Sequence, residues 1–357
     1  MHSSTSKPYR RRAAFSQLHS TAVFGLLFFI LAIPFLWSET GLVPSAIDTL
    51  RPAPHYSKPI FPSIYFTETI AKDVAIEERK PYSVPSMEET LAAKRRVTDY
   101  QSILLNNDVL AYYGHPLSKR MGILGWYPIE EVHLKLAQLG QEYDALNGQR
   151  GVKLAFYLIY GTVWPEGEIG ILRDSVVRQY IEYALAQDIL IFLDHQIGRY
   201  GVVDSLKKMF PYLKYPNVHL ALDPEWRTTM PMKEIGSVSA EEVNAAQEAM
   251  EQYIIANDIP GERLLVIHQF NWKMISGREK VKTDFTRVRL VHCADGFGAP
   301  AVKRASYDFN ARAANMPVKG FKLFYTSGIP GAGFDEPLLT PSQVLQLDPR
   351  PYLIMYQ

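Results

Sequence analysis

From about residue 106 to the C-terminus, short apolar runs alternate with longer stretches of mixed polarity. Eight runs stand out, at 109–113, 152–160, 189–193, 218–222, 264–267, 288–293, 321–324 and 352–355. They are rich in Val, Ile, Leu, Phe and Tyr and carry few charges, as strands do when a parallel sheet is covered on both faces. The segments between them predict helices over 129–147, 175–187, 202–213, 239–257 and 303–315, a shorter one over 277–285, and a last one opening at Thr340 and Pro341. Local punctuation agrees. Ser239 and Glu242 make an S-x-x-E capping box, Asp174 can cap a helix, Gly148 follows a helix end, and Pro341 takes a first helical position. Eight strand–helix repeats in about 250 residues predict an α/β fold of the (β/α)8 TIM-barrel type. The alternative is an open doubly wound sheet, which usually carries a glycine-rich turn after its first strand. Here Gly114, His115 and Pro116 follow instead.

A barrel of this type gathers its chemistry at the carboxyl ends of its strands. Those tips read, in order, His115; Asp194, His195 and Gln196; Asp223 and Glu225; His268 and Gln269; Asp295; Tyr325; and Tyr356. The fourth, VHLALDPEW over 218–226, is the most informative. Strand alternation puts Ala221, Asp223 and Glu225 on one face, with Leu220 and Leu222 on the other. Two acids at the end of a buried strand are costly unless the site pairs them or uses them. Cleavage of a glycosidic bond uses one protonated carboxylic acid and a second carboxylate. Glu225 is the candidate acid and Asp223 its tuning neighbour, with Asp194 or Asp295 as the second carboxylate. His115, His195, His268, Gln269, Trp226, Trp272, Tyr325 and Tyr356 are the candidate substrate-binding groups, the aromatics by stacking on sugar rings.

Other readings of the same tips stay open. Glu225 can be a structural acid paired with Arg227 or Lys273. His115, Asp194, Asp223, Glu225 and His268 can supply ligands to a divalent metal for hydrolysis, but no H-x-H or H-E-x-x-H spacing occurs. No metal or cofactor is therefore expected. A third reading is a non-catalytic polysaccharide-binding or envelope scaffold protein.

Upstream of the repeats the character changes. Lys7, Arg10, Arg11 and Arg12 precede an apolar run over 21–37. Length and flanking charge predict a single-pass membrane anchor with a cytoplasmic N-terminus and an extracytoplasmic body; a cleaved signal segment is the alternative. Prolines at 44, 52, 54, 59, 62, 81 and 85 mark an extended spacer, with one short charged helix over 87–97. The expected organisation is a basic tail over 1–20, a membrane segment over 21–37, a spacer over 38–105 and a barrel over 106–357. Composition adds little more. The 357 residues are 47% hydrophobic, enough for one large core, and the net charge of +1 gives no bulk attraction to nucleic acid. The expected partners are thus the membrane and a polysaccharide. Cys293 is the only cysteine, so no internal disulfide forms.

The stretches VHLALDPEW, IGSVSAEEVNAAQEAM, LLVIHQF and HCADGFG resemble exported bacterial envelope proteins whose reaction is not established, over about residues 106–325. That resemblance implies an exported barrel-like domain. A second similarity is to chitinase-type glycoside hydrolases, which place D-x-E at the end of strand four and an aspartate at the end of strand six. Asp223, Glu225 and Asp295 match those places. The family's further aspartate, four residues before the glutamate, is Ala221 here, and its strand-eight tryptophan is absent, with Tyr356 nearest.

Overall fold

A computed structural model describes residues 102–357 of the protein. The expected basic tail, membrane segment, the spacer up to residue 101 and the helix over 87–97 lie outside them. Among the described residues no helix is long and apolar enough to cross a membrane.

The eight apolar runs are eight strands: β1 (Asn107–Gly114), β2 (Gly151–Val163), β3 (Leu190–His195), β4 (Val218–Leu222), β5 (Arg263–His268), β6 (Val288–Ala294), β7 (Lys319–Leu323) and β8 (Leu353–Tyr356). Each pairs in parallel with the next. β8 returns to β1, with Val109 opposite Leu353 and Tyr112 opposite Tyr356, so the sheet closes into a barrel. The helices are α1 (Ile129–Asp144), α2 (Asp174–Ala186), α3 (Val202–Lys207), α4 (Ala240–Ala256), α5 (Pro300–Ala311) and α6 (Pro341–Leu345). Parallel strands need crossovers, and helices on the outside cover the barrel's outer face.

Several expected elements differ in detail. The stretch over 277–285 forms only a 3-10 turn, Arg278–Lys280. The chain after it is stapled to α4 instead: Asn244 accepts from the Lys282 amide, and Glu251 from the amides of Thr286 and Arg287. The helix expected over 202–213 breaks into α3 and a 3-10 turn, Phe210–Lys214, that holds Pro211. Asp174 opens α2 rather than capping it, and its carboxylate accepts from Arg178 and Tyr212. The predicted capping box of Ser239 with Glu242 is present, and the helix that opens at Thr340 carries a second, Thr340 with Gln343.

Alternation sorts each strand onto two surfaces. Ala111, Tyr113, Tyr157, Phe192, Ala221, Val266, Cys293 and Met355 pack together inside the barrel. Leu110, Phe156, Leu193, Leu220, Leu222, Ile267, Phe321 and Tyr356 pack with the helices outside. The amino-terminal end is closed by Leu104, on the turn Ile103–Asn106, which joins the inner cluster.

Below that layer, Asp108 ties three parts of the closure together. Its carboxylate accepts from Arg150 (2.8 Å), Asn147 (3.3 Å) and Arg350. Arg150 also donates to the carbonyls of Leu104 (2.8 Å) and Asn107 (2.6 Å). β1 is thereby joined to the approaches of both strands that flank it. Replacing Asp108 by Ala is expected to destabilise the fold by about 2 kcal/mol, the low end for losing a buried partner because both guanidinium groups are partly exposed. Urea unfolding would show this as a lower midpoint with an unchanged slope.

Candidate functional site

The inner faces of five strands, with the turns that follow two of the others, bring one set of polar groups to the carboxyl end of the barrel. β1 contributes Tyr113, β2 Tyr157, β3 Asp194, β5 His268 and β7 Lys322; Asp223 and Glu225 follow β4, and Asp295 follows β6. β4 ends at Leu222, and Pro224–Trp226 is a 3-10 turn. Asp223 therefore keeps the inward parity of Ala221, whereas Glu225 is placed by the turn and not by strand alternation. The Asp223 carboxylate caps that turn, accepting from the Glu225 amide at 3.2 Å.

The contacts form a network around His268. Its Nδ1 lies 3.2 Å from Asp295 and its Nε2 3.9 Å from Asp194. Tyr157 shares a 2.8 Å hydrogen bond with Nε2, and the Tyr113 hydroxyl donates to Asp194 at 3.0 Å. Lys322 holds its ammonium 3.6 Å above the centre of the Tyr113 ring.

Burial governs the protonation of this set. Loss of water alone lowers the basicity of His268, but the carboxylates of Asp295 and Asp194 outweigh it and hold the imidazole well above its ordinary range, as a cation. Asp223 is pushed up to about 7, by burial first and then by Asp295 and Asp194, against the pull of His268 and Lys322. Asp194 is raised by burial as well. Glu225 rises well above the usual carboxylate range, through burial first and then through Asp223 and Asp295. Four carboxylates face two cations here, so part of the set keeps its protons at neutral pH.

Glu225 differs from the other three acids. Asp194, Asp223 and Asp295 are buried, whereas Glu225 is half-buried and reaches the surface. Among the described residues its carboxylate has no hydrogen bond and no ion pair. The structural pairing with Arg227 does not occur, because Arg227 is taken by Glu242 at 2.6 Å and by the Ser237 carbonyl at 3.0 Å. Lys273 lies over the Trp272 ring, 5.7 Å from its centre.

The structure separates the remaining candidates from this set. His195 points to the outer face, tilted against Tyr160, and the absent side chain of Gly161 leaves room for its ring. Burial lowers its pKa to about 3, so it stays neutral. Gln269 also faces outward, where its side-chain oxygen meets His292 Nε2 at 2.8 Å. Tyr356 bonds through its hydroxyl to Tyr143 of α1 at 2.8 Å, and Tyr325 stacks on it at 5.3 Å. His115 accepts from the Leu117 amide in its own turn at 3.2 Å. For His195, Gln269 and Tyr356 this corrects the expected place on the rim, because alternation puts the side chain on the helix-covered face. Trp226 is half-buried on the Glu225 turn. Trp272 is 67% exposed and borders a surface depression of ≈ 480 Å³ with Arg278 and Phe309. Among the described residues no group of three or more His, Cys, Asp or Glu side chains has the geometry to hold a metal.

Tip-by-tip reading passed over Tyr157 and Lys322. Their signal was parity: each lies on the inward set of its strand, and Lys322 is a charge between the outward Phe321 and Leu323.

The protonation pattern sets the pH dependence of stability. An acid whose folded pKa is raised takes up a proton on folding, so stability falls as pH rises from its unfolded value near 4 to its folded value. For Asp223 that window runs from about 4 to about 7. A raised histidine adds stability below about 6.5 and loses it as pH climbs through its folded pKa. Both effects have one sign. Unfolding midpoints are expected to be highest in mild acid and to fall through neutrality, and Asp223→Asn should flatten the slope between about pH 4 and 7.

No protein-family model matches the chain, and no curated protein matches it. The expected likeness to exported envelope proteins therefore has no matching family behind it. Solved structures do match. A family 18 chitinase from Crocus vernus is 9% identical with a TM-score of 0.39, covering 70% of this chain and 92% of its own. The catalytic domain of a family 18 chitinase from the fern Peteris ryukyuensis is 14% identical with a TM-score of 0.39, covering 70% and 90%. An oxaloacetate acetylhydrolase in complex with oxalate is 11% identical with a TM-score of 0.39, covering 74% and 79%. The barrel itself is established by the pairing of its own strands.

Proposed function

We propose that this chain is a glycoside-hydrolase-like barrel that cleaves a glycan by carboxylate acid/base catalysis. The observation that carries the reading is the Glu225 carboxylate: raised well above its usual range by burial and by neighbouring acids, free of any protein partner among the described residues, and open to the surface beside Asp223. A general acid needs that combination, a proton retained near neutral pH and a path to the leaving oxygen. Asp223 keeps the proton on Glu225 while it is itself ionised, because the two charges oppose each other. Asp295 supplies the second carboxylate, held on one oxygen by His268. Exposed Trp164, Phe297 and Phe334, on loops that follow β2, β6 and β7, offer apolar faces to sugar rings. The basic flank and apolar run over 21–37 support an anchor that holds this barrel outside the membrane, against an envelope or extracellular glycan.

Two measurements test the chemistry. Glu225→Gln should lower turnover of a cleaved glycan by about 10²–10⁴-fold with an unchanged circular dichroism spectrum, and unaltered turnover would remove Glu225 from the role. Asp223→Asn should move the basic limb of the kcat/KM profile to lower pH, since the neutral amide no longer raises Glu225. A basic limb that stays in place would show that the two groups are not coupled.

A further inference from the structure

The described residues hold three buried lysines on or beside β7, and two of them are fully occupied. Lys303 donates to the carbonyls of Gly296 and Lys322 and lies 3.4 Å from Asp335. Lys319 donates to the carbonyls of Asn310 (2.7 Å) and Ala313 (2.9 Å) at the end of α5. Lys322 differs. It is 4% exposed, yet its ammonium makes no hydrogen bond and no ion pair among the described residues. It rests on the faces of Tyr113, at 3.6 Å, and Phe324, at 5.0 Å. Aromatic faces attract a cation but accept none of its three N–H groups in the ordinary way. None of the four site acids comes within ion-pair distance of it, although its charge acts on Asp194, Asp223 and Glu225 from further off.

Lys322 stands on β7 between β6, whose end Asp295 follows, and, on its other side, β8. On that side Phe324 lines a small recess together with Arg120, Trp126, Tyr325 and Gln357. The recess holds ≈ 50 Å³, far below the roughly 300–1,000 Å³ of pockets that take a whole small molecule. It is sized for a substituent, with Arg120 and Phe324 on its wall; Lys322 does not line it, and its ammonium lies 5.0 Å from the centre of the Phe324 ring.

We propose that Lys322 determines substrate specificity by binding the carboxylate of an acidic sugar, so that the glycan cleaved here contains uronic acid residues. The inference rests on the glycosidase reading above and deepens it. A sugar carboxylate supplies the acceptor that Lys322 lacks, and Arg120 adds charge at the recess. Asp223, Glu225 and Asp295 remain available for the glycosidic oxygen and the water.

The test uses the Glu225→Gln chain, so that binding is read without cleavage. Titration calorimetry would compare tetrasaccharides of galacturonate, of mannuronate and of hyaluronan with their carboxyl-reduced counterparts. At least one acidic oligomer should bind about tenfold or more tighter than its reduced form, as a charge-assisted contact predicts. Lys322→Met and Lys322→Gln should erase that difference and leave the reduced form bound as before. Equal affinity for acidic and reduced oligomers would overturn the proposal. So would an equal loss for both in the Lys322 variants, since that is the signature of a lysine that only balances the site acids. Should neither variant fold, the salt dependence of the Glu225→Gln chain decides: acidic binding must weaken with salt and reduced binding must not. Neutral glycans bound and cleaved while acidic ones are ignored would refute the specificity and keep the hydrolase. No glycan of either kind bound or cleaved would refute both.

Discussion

The structure turns on one constraint: four carboxylates share the dry end of a closed barrel with two cations. His268 makes that tolerable. It is fully buried between Asp295, at 3.2 Å, and Asp194, at 3.9 Å, and so it stays a cation where burial alone would strip its proton. The remaining imbalance is met by protons retained among the acids, on Glu225 above all. A group with a raised pKa that also touches solvent is a proton donor, so the electrostatic cost of the arrangement and its chemistry have the same origin.

Rigidity around this centre comes from contacts that do no chemistry. The turn carrying Glu225 is fixed from both sides: its carbonyl accepts from the Gly236 amide at 2.6 Å, and the Trp226 carbonyl accepts from Gly198 at 3.2 Å. Arg227, the next residue, joins Glu242, which also closes the capping box of α4. One side chain thus links the start of a helix to the turn of the candidate acid. On the other side, Asp335 accepts from the amides of Phe324 and Gly298 at 2.9 Å each, beside Lys303. That clamp binds the loop after β6, which follows Asp295, to the loop after β7. A site of this kind needs its supporting shell as much as its reacting groups.

Polar residues on the outer face serve a different purpose. Gln269, His292 and Arg278 hydrogen-bond among themselves and to the carbonyl of Phe309, next to a crossover that lacks a helix. His219, on the inner face near the start of β4, accepts from the Leu264 amide at 3.0 Å and is kept neutral by burial. These groups satisfy backbone and side-chain partners where packing would otherwise leave them bare.

The linear pattern carried the architecture. Eight apolar runs, with a capping box at Ser239 and Pro341 at a first helical position, gave strand count, order and most helices, because burial on two faces and local capping are recorded within a few consecutive residues. It also found Asp194, Asp223, Glu225, His268 and Asp295, each at or next to the end of a strand. It did not separate them from His195, Gln269 and Tyr356, since being at a tip does not say which surface a side chain meets; one residue of register reverses that. The fate of Glu225 was likewise undecided, for the turn at Pro224 overrides strand parity. Lys322 became visible only when closure brought β1 round to β8, the neighbour of β7, with the Tyr113 and Phe324 rings against its ammonium. Residue types and strand ends were therefore determined by the sequence alone. Which acid stands free, which lysine lacks a partner and which groups share one charge balance were decided by the tertiary structure, because desolvation and charge coupling exist only between residues that closure brings together.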